Sequence, residues 1–217
     1  MPPKQASYQH IRSFNLAEAY RKWYCSAKGE MKITYQDQLR EIANEQYGFV
    51  TTKDAADAGI PAVELRKLAT RGSLKNVRRG VYRFTDARRT EKDAFAEAVL
   101  RVGDDAFLIG ESVLALLDLG LVEPKTIKVG TPNRVRQRDT GFVKIVEKKL
   151  PPETLTTYSE IRSQPVADAL IESKSSIMPD RLMDAFKKAN RLGLLTPKEA
   201  SRVRIELRSH NRTKRVA

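Results

Sequence analysis

Residues 51–84, TTKDAADAGIPAVELRKLATRGSLKNVRRGVYRF, decide the fold. Thr51 with Asp54 three residues on is a helix start, and the short run that follows carries Ala55, Ala56 and Ala58 before Gly59 stops it. Small residues there let a second helix approach closely. Gly59-Ile60-Pro61 supplies the turn, and Pro61 sits where a helix begins and a missing N–H costs nothing. That helix runs to about Arg71 with Leu65, Leu68 and Ala69 inward, and Gly72 ends it. Leu74–Arg78 and Val81–Phe84 are β-prone runs around Arg79-Gly80, a hairpin signal. Upstream, Thr34 and Asp37 open another helix with Tyr35, Leu39, Ile42, Ala43 and Gln46 at helical spacing, closed by Gly48. Helix, short helix, turn, helix, hairpin is the order of a winged helix-turn-helix.

The rest of the chain reads as mixed α/β. Asp93–Val102 is an amphipathic helix with Phe95, Val99 and Val102 on one side, and Glu111–Leu119 is a buried helix. Thr126–Gly130 and Phe142–Glu147 are strand-like; Pro165 opens a helix, and Arg181–Leu192 and Pro197–Leu207 are helical. The fold class expected is α+β: an N-terminal winged helix-turn-helix followed by a mixed α/β C-terminal domain ending in helices. The expected division is an N-terminal arm or loose extension at 1–30, in which Phe14–Tyr20 could form a short helix carrying Trp23, the winged helix at 31–88, the C-terminal domain at 89–208 and a basic tail at 209–217.

The chain has 217 residues and a net charge of +13, an excess that favours an anionic partner, most commonly nucleic acid. The charge is focused. Between Arg66 and Arg89 nine basic residues face one acid, Asp86, and the densest focus falls on the helix and hairpin just described. In a helix-turn-helix the second helix of the pair lies in the major groove, where base edges carry distinct donor and acceptor patterns. Arg66, Lys67, Thr70 and Arg71 lie on the outer face of that helix. Arg66 and Arg71 are the candidates for bidentate contact with guanine, and Lys67 for a phosphate or base. The hairpin brings Lys75, Arg78, Arg79 and Arg83 to phosphates or the minor groove. Arg134, Arg136 and Arg138 alternate, so an extended backbone projects them to one side, as a second contact or as a solvated edge.

Little in the sequence points to catalysis. His10 and His210 sit near the ends, so neither a His-based acid/base pair nor a triad is expected. The single cysteine, Cys25, makes no internal disulfide and suits a reducing cytosol; a four-ligand zinc site cannot be assembled. Phosphate-binding, dinucleotide and kinase motifs are missing. Asp104, Asp105, Glu111, Asp118, Asp168 and Asp184, with Lys128 and Lys144, have no spacing that demands a metal or nucleotide. The expectation is no cofactor, no metal, no catalytic residue that can be named, no membrane span and a cytoplasmic location.

The run Gly48-Phe49-Val50-Thr51-Thr52, then Ala55, Gly59-Ile60, Leu65, Leu68, Arg71-Gly72, Leu74, Val77 and Arg79-Gly80-Val81-Tyr82, resembles the N-terminal domain of AbiEi-type antitoxins. Gly-Val-Tyr after an arginine is its most specific piece. Leu108–Leu116 and Pro165–Leu170 are similar to that family's C-terminal half, so the resemblance spans about residues 35 to 175. One departure is Tyr158–Gln164, more polar than a paired strand calls for. The resemblance implies a type IV toxin–antitoxin system. Its winged helix binds double-stranded DNA at inverted repeats upstream of its own operon, as a dimer or as two copies, and its C-terminal domain counters a nucleotidyltransferase-like toxin. Countering that toxin enzymatically, for instance by phosphorylating it, and blocking it by direct binding both remain open.

Overall fold

The computed structural model describes residues 33–134 and 139–216. The expected arm with its short helix, together with Arg136 and Arg138, lies outside them. Among the described residues the first three helices are α1 (Tyr35–Glu45), α2 (Thr52–Asp57) and α3 (Ala62–Thr70), with strand β1 (Phe49–Thr51) between α1 and α2. The hairpin β2 (Leu74–Arg78) and β3 (Val81–Phe84) follows. β1 pairs antiparallel with β3, giving a three-stranded sheet in the order β1-β3-β2. This is winged helix order, with one strand, β1, that the periodicity does not give; three residues are too few to show an alternation.

Local chemistry fixes the helix ends. Thr34 and Thr51 both form complete capping boxes, each hydroxyl accepting from the backbone N–H three residues on while Asp37 or Asp54 accepts in return. At the other end, α2 and α3 both close with the paired backbone bonds of a Schellman motif. Ile60 N–H donates to Ala55 O and Gly59 N–H to Ala56 O; Ser73 N–H donates to Leu68 O and Gly72 N–H to Ala69 O. Gly59 at φ +71° and Gly72 at φ +81° occupy the left-handed position the motif needs, where an L side chain is strained.

The second part of the chain builds a six-stranded mixed sheet from β4 (Phe107–Leu108), β5 (Ile127–Thr131), β6 (Asp139–Thr140), β7 (Val143–Glu147), β8 (Thr156–Tyr158) and β9 (Ile161–Ser163). Their order is β6-β7-β5-β4-β9-β8, with β5/β7 and β4/β9 parallel. The polar segment before Pro165 does pair: β8 and β9 form a hairpin whose turn residues Ser159 and Glu160 lie at φ +48° and +57°. Ile161 and Ser163 are buried while Arg162 is half-buried, so one of the two core-facing positions of β9 is polar. Helices α4 (Asp93–Val102), α5 (Glu111–Leu116), α6 (Val166–Glu172), α7 (Pro179–Arg191) and α8 (Pro197–Val216) complete this part. In α4 the fully buried positions are Ala96 and Ala98, with Phe95, Val99 and Val102 only partly covered, because small residues let the helix approach β4, β5 and β9. α8 runs to Val216, well past the expected end at Leu207, through a basic stretch that has no helix breaker.

The three-stranded sheet meets an apolar cluster on each face, while Lys75, Asn76 and Arg78 of its β2 edge stay exposed. Val50, Leu74, Tyr82 and Phe84 join Leu39, Ala43, Ala55, Ile60, Leu65 and Leu68 under the first three helices. Phe49 and Val81, one residue out of phase, instead belong to the larger core of the second part, with Val77 packed against it. Phe49 is wholly buried. Replacing it by Ala is expected to cost about 3–5 kcal/mol, as large-to-small changes in cores do. Tyr35→Ala, on the exposed side of α1, is expected to stay within about 0.5 kcal/mol. Urea unfolding of the full chain measures both, and equal small costs would mean that Phe49 joins no core.

Candidate nucleic-acid interface

The turn between α2 and α3 buries Ile60, and α3 buries Leu65 and Leu68, so the opposite side of α3 is turned to solvent. Arg66, Lys67 and Thr70 lie on that exposed side, with Arg71 exposed at the helix cap. Lys67 reaches back 2.8 Å to Glu64, an exposed pair of small energetic weight that a phosphate can displace. The Thr70 hydroxyl donates to Arg66 O at 3.0 Å, which leaves its own lone pairs outward. Among the described residues Arg66 and Arg71 have no acidic partner. The structure therefore gathers all four on one outward surface.

The hairpin divides the remaining four. Arg78 and Arg79 are exposed at its turn, where Gly80 O accepts from Thr52 N–H at 2.9 Å and ties the turn to the first residue of α2. Lys75 is exposed, but it is the register partner of Arg83, so both stand on the sheet face away from α3.

Arg83 is not part of an outward surface. Its side chain is 12% exposed, and its guanidinium donates to Asp93 Oδ2 at 2.5 Å, in the first turn of α4. It lies 5.4 Å from the centroid of the Phe49 ring, and its Nε is buried without a partner. Asp93 also accepts from the N–H and hydroxyl of Thr90. The physical reason is the period of the strand: Tyr82 and Phe84 face the first three helices, so Val81 and Arg83 face the second part of the chain, where Arg83 meets α4.

Further contacts join the two parts of the chain. The Tyr47 hydroxyl donates to Ser159 O at 2.7 Å, and Lys92 Nζ donates to the Ser159 hydroxyl. Burial raises the Tyr47 phenol above its ordinary value of 10.0. Because the folded value is the higher one, this contribution is whole below about pH 10 and is lost as pH rises through the folded value. Lys53 and Asp104 meet at 3.2 Å, both well exposed. Among the described residues no three His, Cys, Asp or Glu side chains converge as metal ligands, and no helix is long and apolar enough to cross a membrane.

Three helices, a turn closed by a Schellman glycine, and a hairpin with outward cations define a winged helix-turn-helix of the kind that carries nucleic-acid interfaces. Residues 37–85, which span all of this unit but the first two residues of α1, match a family model described as transcriptional regulator, AbiEi antitoxin. Among solved structures, the chain is similar to the crystal structure of the RV2827C protein from Mycobacterium tuberculosis. That likeness has 15% identity over 78% of this chain and 80% of the other, at a TM-score of 0.36. No curated protein matches the chain in sequence.

Arg83→Ala leaves the Asp93 carboxylate largely buried without its cation, which is expected to cost about 3 kcal/mol in urea unfolding. A loss within about 0.5 kcal/mol, the range of ordinary surface changes, would place Arg83 in solvent instead.

Proposed function

We propose that this chain is an antitoxin and transcriptional autoregulator, which binds inverted-repeat DNA upstream of its own operon and counters a nucleotidyltransferase-like toxin of a type IV system. The observation that carries the DNA-binding half is the outward surface of α3, where Arg66, Lys67, Thr70 and Arg71 stand together on a helix-turn-helix that buries its other side. The match of residues 37–85 to the AbiEi regulator model supports the same reading and supplies the antitoxin half. In this reading α3 lies in the major groove with Arg66 and Arg71 toward guanine edges, and Arg78 and Arg79 meet the flanking phosphates. Arg83 has left the contact set because it holds α4, and Lys75 because it stands on the sheet face away from α3. Inverted repeats call for two copies of the chain related by a two-fold axis, each placing one α3 on a half-site.

A gel-shift titration against the chain's own upstream DNA, at two salt concentrations and with scrambled competitor, tests this. Specific binding is expected to survive the competitor. Replacing Arg66 and Arg71 by Ala is expected to cost about 1–3 kcal/mol each, and Arg79→Ala to reduce the salt dependence by about one phosphate contact. Binding that scrambled DNA abolishes, or that the double substitution leaves intact, would remove α3 as the reading element.

A further inference from the structure

Between the hairpin and α4 lies a cleft of about 440 Å³, within the range of small-ligand sites. Lys75, Arg83, Arg89 and Arg101 line it, with Asp93 and Glu97 as its acids. Both acids are already engaged: Asp93 by Arg83, and Glu97 by Arg101 at 2.7 Å. Lys75 and Arg89 are exposed and have no acidic partner among the described residues. The cleft thus holds two cations without local compensation, above a wall that includes the partly buried, apolar Val77.

We propose that this cleft binds a small phosphorylated metabolite, with Lys75 and Arg89 as the groups that hold its phosphate. Two uncompensated cations match the charge of a phosphate monoester near pH 7, about −1.5 to −2. An arginine fork and a lysine ammonium are the side chains suited to its oxygens, one by planar bidentate contact and one as a point charge. Geometry favours a small molecule over a duplex. Lys75 and its register partner Arg83 stand on the sheet face opposite the one that packs α3, so DNA lying on α3 approaches from the other side. The near wall is the hairpin and the far wall is α4, so an occupant touches the DNA-binding unit and the second part of the chain together. Its binding adds to the Arg83–Asp93 pair in holding the hairpin on α4, which makes the assembled state more stable by mass action. The proposal stands whether or not α3 binds DNA.

Isothermal titration of the full chain with inorganic phosphate and with pyrophosphate, at fixed ionic strength and with chloride as control, tests it. One saturable site per chain is expected. Lys75→Met with Arg89→Gln is expected to weaken it about tenfold or more, since both charge-assisted contacts go. Both side chains are exposed, so the fold should persist; should the double variant lose its circular dichroism, Arg89→Gln alone is expected to weaken binding severalfold. Arg66→Ala with Arg71→Ala, on the other side of the sheet, is expected to bind phosphate like the parent, which separates this site from the DNA surface. Heats that do not saturate, or that are unchanged in the cleft variants, would overturn the proposal. Displacement of phosphate by the upstream duplex, one for one, would also overturn it and make the cleft a DNA contact.

Discussion

The structure depends on a small sheet that has apolar cover on each of its two faces. β1, β2 and β3 are too short to be stable alone, and a three-stranded sheet of this size needs apolar cover to persist in water. Here one face lies under α1, α2 and α3 and the other on the core of the second part. Strand alternation permits this without any special residue. In β3, Tyr82 and Phe84 go one way while Val81 and Arg83 go the other, and in β1, Val50 and Phe49 divide likewise. The cost is that a charged residue, Arg83, must go inward, and Asp93 at the start of α4 meets it at 2.5 Å. A pair so enclosed adds little net stability over an apolar pair, but removing either partner leaves the other largely buried and unpaired.

That arrangement settles how α3 is presented. The capping boxes at Thr34 and Thr51 and the Schellman turns at Gly59 and Gly72 fix the helices locally, and the sheet fixes them to the second part. The Tyr47–Ser159 bond and the Lys92–Ser159 bond add two more ties, both to the turn between β8 and β9. α3 is therefore exposed on a support tied to the second part of the chain, which sits behind the hairpin, away from α3.

The helices and the hairpin were legible because their signals are local: a hydroxyl and a carboxylate three residues apart, a glycine after the last apolar position, two β-prone runs around Arg79-Gly80. The outer face of α3 was legible for the same reason, since Leu65 and Leu68 fix which side is in. What the sequence does not show is what covers the back of a sheet. Arg83 reads as one more exposed cation in a basic hairpin until α4 is known to lie against it. Its phase with Val81, opposite to Tyr82 and Phe84, is the one local sign that it faces elsewhere. Arg89 and Arg101 had no role for the same reason: their cleft exists only once residues far apart in the chain are packed together. β1, β4 and the β8–β9 hairpin were missed because two or three residues give no alternation to read, and because Ser163 is a polar residue in a buried position.

The most direct test is amide hydrogen exchange of the full chain, with and without its own upstream duplex. The expected result is DNA-dependent protection across α3 and the hairpin turn, residues 62–71 and 78–80, while β3 and the first turn of α4 exchange slowly in both states. Protection that avoids α3, or a β3 and α4 that exchange freely without DNA, would contradict it. The first outcome would move the DNA surface elsewhere, and the second would mean that the hairpin is not held on α4.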